Sequence, residues 1–480
     1  MKRPLLGFFF LLIAAYTVKA QDKWDLQRCV TYAMQNNISV KQADIQARVS
    51  ALQLKLSQAG SLPNIGFSSN GGYNFGRSIN PATNSFENKS IFFSNFQLQS
   101  SVNLFNWFSQ KYTIEADKLS KQAADAATDK ARNDIALNVA VAYLQALLAS
   151  EQIDVSSLQI GQTQSQLENI RKQVRAGALP ELNAVELEAQ LATDSATYIG
   201  NVSTYHQNLI QLKALLNLDM AVDFDIEKPN VTSIPLEPLA DLQPARVYQL
   251  ALKNLPQQRV NQFRYQAALK NIQVARASMF PTISAFANIG SRYSSLFPDQ
   301  ENFIVTPSGK LDTLGYVETA PGTRFYAVRP GVSVVSKNTT FGKQVFNVNL
   351  SQAVGLNLSI PIFNNRRLRT VWDRARLDAE GIQLQVDQDN LTLQQDIYGA
   401  YNNAISAQQR YLSARKGVEA AEKAYDFSQK RYGAGLLQTI ELITNQNSLF
   451  RSRLDALAAQ FEYVFRMKLL EFYKGEGMKL

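Results

Sequence analysis

The chain has 480 residues, 45% hydrophobic and 19% charged, with a formal net charge of +9, a length that by itself would suggest two to four ordinary domains. A single histidine, His206, and a single cysteine, Cys29, exclude Cys/His metal clusters, intrachain disulfides and a Cys/His nucleophilic pair, so no enzyme, cofactor or metal site is expected. The 15 prolines and 23 glycines gather in a few places, and the proline-free stretches between them predict long helices.

Residues 1–20 open with Lys2 and Arg3, continue through an apolar run from Leu5 to Ala15 and end in Val18-Lys19-Ala20, the pattern of a cleaved signal peptide. Loss of its three cations leaves about +6 on the exported chain, with basic and acidic residues interleaved, which speaks against nucleic acid as a partner. No later window approaches the ~20 apolar residues of a membrane helix. Cys29 follows Arg28 and reads as a small buried residue of the first helix, not as a lipid-attachment site.

The chain is written twice. CVTYAMQNN from Cys29, ending at Leu62-Pro63, recurs as VYQLALKNL from Val247, ending at Phe280-Pro281, at an offset of 218. Asn103-Leu104-Phe105-Asn106 then matches Pro361-Ile362-Phe363-Asn364 at an offset of 258, which also pairs Tyr143 with Tyr401, Gly177 with Gly435 and Leu191 with Leu449. The second repeat therefore carries 40 extra residues, rich in Gly, Ser, Thr and Pro, between Pro281 and Pro361; they read as a loop insertion. The expected order is a first repeat over 21–218, with a helix, strands 64–76 and 91–105 and a helical hairpin 109–218. An irregular connector, 219–243, carries prolines at 229, 235 and 238. The second repeat, 244–480, has a helix, strands 281–293 and 343–362 flanking a long loop over 298–342, and a hairpin 365–473.

From Ile135 through Val139, Ala142, Ala146, Ala149, Ile153, Ser156, Ile160, Thr163, Leu167 and Ile170 to Val174, spacings of four and three alternate without a break. Leu393 to Tyr432 repeats the same register 258 residues later. A sustained 3.5-residue period predicts left-handed coiled coil, and the outbound helix from Lys111 to Val174 would be roughly 95 Å long. The return seams are placed on Leu182, Val185, Ala189, Ala192, Ala196 and Ile199, and on Ile440, Ile443, Asn447, Phe450, Leu454, Leu457, Phe461 and Val464. Gly177 and Gly435 sit at the reversals, as left-handed helix caps would.

The four strands alternate. Ile65, Phe67, Tyr73 and Phe75 lie between Asn, Gly and Ser residues, and Phe92, Phe96, Leu98, Val102 and Leu104 do the same. Ile283, Ala285, Ala287 and Ile289 are weaker but in phase, and Phe346 to Ile360 is the cleanest run. Strands with one apolar and one amide-rich face suit lipid on one side and a wet lumen on the other. Lipid tolerates no open sheet edge, and the smallest such barrels have about eight strands, so four per chain require more than one chain.

The exported chain, its duplicated plan of two strands and a long hairpin, the glycine turns and the 258-residue register resemble the TolC-type outer-membrane efflux family, from Trp24 to Phe472. The resemblance implies a mixed, mainly α fold: a homotrimer with a periplasmic α-barrel of coiled-coil hairpins and a twelve-stranded transmembrane β-barrel in the outer membrane of a Gram-negative bacterium. It implies an exit duct for a tripartite efflux or type I secretion system, working with a periplasmic adaptor and an inner-membrane pump. Adaptor docking would fall on the tips, Ala176, Gly177, Ala178, Leu179, Ala434, Gly435 and Leu436.

The family's constricting tyrosine corresponds to Tyr432 in RYGAG. Of the acids common after it, only Glu441 remains; Thr444 holds the second place, and Asn183 and Glu186 occupy the equivalents in the first repeat. Three Glu441 about one axis would favour cations; equally, Glu441 and Glu186 read as solvated helix acids pairing with Lys430, Arg431 or Arg175. Tyr432 also lies on the heptad seam, so packing competes with gating. The rival class is a secreted coiled-coil spacer or adhesin without channel activity.

Overall fold

The computed structural model describes residues 23–79, 86–229 and 234–475. The leader and residues 230–233 of the connector lie outside them. In chain order the first repeat gives α1 (Leu26–Asn36), α2 (Ile38–Ala59), β1 (Asn64–Asn74), β2 (Arg77–Ile79), β3 (Phe86–Asn88), β4 (Ile91–Phe105), α3 (Ser109–Arg175) and α4 (Leu182–Leu216). The second gives α5 (Pro244–Asn254), α6 (Pro256–Ala277), β5 (Thr282–Ser294), β6 (Pro298–Ala320), β7 (Thr323–Asn338), the single turn α7 (Phe341–Lys343), β8 (Ser351–Ser359), α8 (Arg367–Gly433) and α9 (Thr439–Tyr473). The compact units cut across the repeats. One comprises Met1–Leu52, Asp117–Ala268 and Asp378–Leu480, the other Gln53–Ala116 and Leu269–Leu377.

In the helical unit the first helix of each repeat is broken in two at matching places. Asn37 ends α1 with its N–H on the Ala33 carbonyl, then accepts from the Ser39 N–H through Oδ1 and ties Nδ2 to the Leu215 carbonyl at 2.7 Å. Leu255, 218 residues on, ends α5 in extended backbone before Pro256, whose fixed φ starts a helix readily. The core of the first repeat gathers Cys29, Val139, Ala146, Leu147, Leu212 and Ile226; that of the second gathers Leu242, Val247, Ile397, Ala404, Met467 and Leu470.

The heptads of α3 and α8 are the buried stripes: Val139, Ala142, Ala146, Ala149, Ser156, Thr163, Leu167 and Ile170 on one, Ile397, Ala400, Ala404, Ala407, Tyr425 and Ser428 on the other. The seam of α4 differs from the sequence reading. Ala184, Leu187 and Asp194 are buried and Leu191 half-buried, whereas Leu182 is 63% and Ile199 66% exposed. The true seam runs two residues later, because α4 carries two apolar stripes and the inward one is interrupted by a carboxylate. α9 is buried on two sides, through Ile443 against α3 and α4 and through Leu442 and Leu449 against α8.

The other unit holds an antiparallel sheet in the order β1-β4-β5-β8. Its strands contain a single charged residue, Arg292. Register pairs Phe67 with Leu98 and Leu98 with Ile289, then Ala287 with Val354, so one face is continuously apolar, and Val354 on it is 85% exposed. The opposite face aligns Ser68 with Gln97, Gln99 with Asn288 and Ser284 with Asn357. β1 and β8 each have one neighbour, leaving two unpaired edges.

Two expectations are corrected here. The 298–342 segment is not a loop: β6 and β7 form a long antiparallel hairpin around Gly322, whose φ is 92°. Four register shifts along it scramble the period-two pattern that marks a strand. The last strand spans 351–359, not 343–362. Residues 341–348 instead form helical turns, because the buried Gln344 side chain accepts from the Ser294 N–H and donates to the carbonyls of Ser294 and Thr339. That side chain occupies the β5 backbone groups a longer β8 would need.

Candidate functional site

Each hairpin reverses on the same cap. The Gly177 N–H bonds the Val174 carbonyl and the Ala178 N–H the Gln173 carbonyl, both at 2.9 Å; Gly435 and Leu436 repeat this with Tyr432 and Arg431, again at 2.9 Å. These are paired 5→2 and 6→1 bonds around a left-handed residue, with φ 73° at Gly177 and 75° at Gly435. A Cβ on either glycine would meet nothing within 4 Å, so the chain itself needs only their backbone freedom. Ala176, Ala178, Ala434 and Leu436 are exposed and Leu179 half-buried.

Tyr432 is half-buried between two apolar clusters, one of Leu167, Ile170, Ala184, Leu187 and Ile443, the other of Tyr425, Leu442 and Leu449. Its hydroxyl shares a 3.1 Å hydrogen bond with the Thr439 hydroxyl at the start of α9. Within one chain, therefore, packing accounts for Tyr432. Glu441 and Thr444 are exposed on the first turns of α9, and Asn183 and Glu186 are half-buried at the start of α4. The cations named as partners for the two glutamates are engaged elsewhere: Lys430 with Asp426, Arg431 with the Leu436 carbonyl and Arg175 with the Arg171 carbonyl.

Behind the tips lies a polar network that the sequence reading missed. Asp194, 4% exposed, accepts from the Thr163 hydroxyl and Gln190 Nε2, each at 2.7 Å, and from Gln159 at 3.4 Å. Gln446 Nε2 donates to Thr163 at 3.1 Å, and Gln190 and Asn447 exchange amide bonds of 3.1 and 3.0 Å. Gln166 Nε2 donates to the Tyr425 hydroxyl at 2.6 Å, whose pKa burial raises above the ordinary tyrosine range. All four long helices contribute. The signal available beforehand was polar residues at seam positions, Ser156, Thr163 and Asn447, in otherwise apolar heptads.

In the sheet unit the amide-rich face carries two aromatic exceptions. Phe93 lies over Gly72 and Phe286 over Gly355, pairs set by register. The turns from sheet to helix are also duplicated: Trp107 and Phe108 have φ of 51° and 62°, and Asn365 and Arg366 51° and 61°. Asn106 Oδ1 accepts from the Gln110 N–H at 3.3 Å and Asn364 Oδ1 from the Leu368 N–H at 3.5 Å. The repeated Phe-Asn pair thus marks a capped left-handed turn. Among the described residues no helix is long and apolar enough to cross a membrane.

A four-stranded sheet with an apolar face and open edges, continued by coiled-coil hairpins in two repeats, defines a duplicated strand-and-hairpin protein of the outer-membrane channel type. The sequence profile of the outer membrane efflux proteins matches residues 30–218 and 325–467, and the chain belongs to that family. Among curated protein sequences none matches it. Its fold is similar to that of a membrane protein from Pseudomonas aeruginosa, at 17% identity and TM-score 0.73 over 94% of this chain and 92% of that one. The outer membrane channel CmeC of Campylobacter jejuni is similar at 16% identity and TM-score 0.69, over 95% and 87% of the two chains. The channel MtrE of Neisseria gonorrhoeae, solved in its open state, is similar at 18% and 0.68, over 95% and 89%.

Proposed function

We propose that the protein is the outer-membrane exit duct of a tripartite efflux or type I secretion system, in a Gram-negative bacterium. Three chains close their sheets into a twelve-stranded barrel, each β8 pairing with the β1 of the next, and their hairpins form a tunnel through the periplasm. The observation that carries this reading is the sheet: one exposed apolar face, one amide face and two unpaired edges. An open edge is untenable in lipid, and closure satisfies it. The second apolar stripe of α4, Leu182, Val185 and Ile199, supports the same assembly as a surface for a neighbouring hairpin.

In this assembly Tyr432, Glu441, Thr444, Asn183 and Glu186 surround the periplasmic entrance. The tips Ala176, Gly177, Ala178, Leu179, Ala434, Gly435 and Leu436 receive the adaptor, through which the inner-membrane pump delivers substrate. Transport through such a duct needs no catalytic group.

Single-channel conductance of the purified mature protein in planar bilayers tests the reading, alongside a Tyr432→Phe, Glu441→Ala double variant. Small flickering openings that grow in the variant are expected. Absence of conductance from both, with protein that stays soluble without detergent, would sink the channel and favour a coiled-coil spacer.

A further inference from the structure

Five arginines, Arg366, Arg367, Arg369, Arg374 and Arg376, fall within eleven residues at the start of α8, and all are exposed. Steps of 100° per residue bring Arg369 and Arg376 to the side of the helix that carries Trp372. The guanidinium carbons of Arg369 and Arg376 lie 4.8 and 5.3 Å from the indole centroid. Arg369 also meets an acid through Nε, Asp373 at 3.4 Å, whereas Arg376 has no acid among the described residues. Cation–π contact with the indole leaves guanidinium N–H groups, the Arg369 Nε facing Asp373 apart, for planar or tetrahedral oxyanions. Trp372 Nε1 has no acceptor among the described residues.

The surroundings say which oxyanion. The arginines follow directly on Ile362 and Phe363, 94% and 80% exposed. They also follow the helix-proximal end of the sheet, where β4 and β8 stop and β5 begins. At that end Phe105, Trp107, Phe108 and Phe280 form a chain of ring contacts 4.8–5.6 Å apart. An apolar band, then aromatic rings, then clustered cations is the order met on crossing from hydrocarbon through the interface to phosphate headgroups. In the first repeat the places of Arg369, Trp372 and Arg376 hold Lys111, Ile114 and Lys118. The cation, apolar, cation spacing recurs there, but the arginine fork and the indole do not, so the fold itself does not require them.

We propose that Arg369 and Arg376, which flank Trp372, bind the phosphate headgroups of anionic phospholipids in the leaflet bordering the helical part of the protein. The inference rests on the reading that the apolar sheet face lies in a membrane. It adds a lipid site to that face: the arginines engage the phosphate while the indole sits at headgroup depth.

Native mass spectrometry of the purified full chain, exchanged into mixtures of phosphatidylglycerol and phosphatidylcholine, tests it. Each cation near an anionic surface is worth about fivefold. Wild type should therefore retain phosphatidylglycerol about tenfold or more over phosphatidylcholine, and an Arg369→Gln, Arg376→Gln variant should lose that preference. Arg369→Lys with Arg376→Lys, which keeps charge without the fork, should fall between. Equal retention by wild type and the glutamine variant would overturn the proposal. So would release of the lipid by millimolar inorganic phosphate, or capture of peptidoglycan fragments with no lipid preference. Conductance in pure phosphatidylcholine separates the two readings. Equal currents from both proteins with no lipid preference defeat the lipid site alone, whereas a wild type that neither inserts nor conducts defeats the membrane reading beneath it.

Discussion

Phe286 fills the space that a side chain at position 355 would need: a Cβ on Gly355 would come 2.8 Å from the Phe286 Cζ. The two residues face each other across β5 and β8 on the amide-rich side of the sheet, where an aromatic ring covering a glycine compensates for its missing side chain. The clash involves the far end of a ring that is 40% exposed, so Gly355→Ala should push the ring aside and cost under ~1.5 kcal/mol. If this face lines a lumen, Phe286→Ala should raise conductance and Gly355→Ala, by lifting the ring, should lower it. Thermal melting and single-channel currents on the same preparations check both.

The sequence made α3 and α8 readable because their heptads run unbroken over many turns and recur 258 residues apart, even where α3 buries further apolar residues such as Ala140, Leu144 and Leu147. β4 was readable to the residue because Phe92, Phe96, Leu98, Val102 and Leu104 share one face against Asn95, Gln97, Gln99 and Asn103 on the other, with Phe93 as an exception. Legibility failed where one element serves two partners. In α4, Leu182 and Val185 outweigh Ala184 and Asp194 on any hydrophobic scale, so the sequence pattern points to the exposed stripe. Before β8, Phe346, Val348 and Leu350 keep strand alternation, but one buried amide, Gln344, redirects the backbone into helical turns, and no periodicity reports a single side chain's hydrogen bonds. The tip glycines were legible as caps; whether Glu441 and Tyr432 meet other chains is a property of an assembly that one chain's periodicity does not encode.

Gly435 separates backbone need from contact need. With φ at 75° and open space around a built Cβ, Gly435→Ala should cost only about 1–2 kcal/mol for the left-handed backbone. Gly435→Asn, which tolerates that conformation better, should recover most of the loss. Should the tip also meet an adaptor closely, both variants will lose export activity well beyond their loss of stability. Export that follows stability alone would leave the glycine a helix cap and nothing more. Export assays beside thermal denaturation decide it.

The pH dependence of stability has two limbs with named causes. Burial, followed by the charge of Asp25, pushes the Cys29 thiol from 9.0 up to about 12 against the opposing pull of Arg28. Burial raises Tyr143 and Tyr205 in the same direction. A raised pKa means that the native state holds its proton more tightly than the unfolded chain. This stability is complete below pH 9 and disappears as pH climbs towards 12. Burial also raises Asp225, but hydrogen bonds from Tyr205, Lys23 and the Ile226 N–H outweigh it and hold the carboxyl below its ordinary value. Its contribution is present above pH 3.8 and is lost as pH falls through the lowered value. Melting temperature against pH should decline on both limbs. Cys29→Ala should soften the alkaline decline and Asp225→Asn the acid one, and iodoacetamide at pH 8 should label Cys29 only after unfolding.

Asp194 is the acceptor on which the tip network converges, buried and without a basic partner among the described residues. Thr163 donates to it and accepts from Gln446, so a change at Asp194 on α4 is felt through α3 at α9. Asp194→Ala strands the hydrogen-bond donors of Thr163 and Gln190 in a buried site and should cost about 1–3 kcal/mol. Because Thr163 and Gln190, which Asp194 holds in place, carry the bonds to Gln446 and Asn447 of the other hairpin, the variant should also open more often under voltage. Asp194→Asn retains an acceptor and should show a smaller fraction of both effects. A melting temperature that falls without any change in open probability would restrict the network to stability; a change in both would make it a brace on the closed entrance.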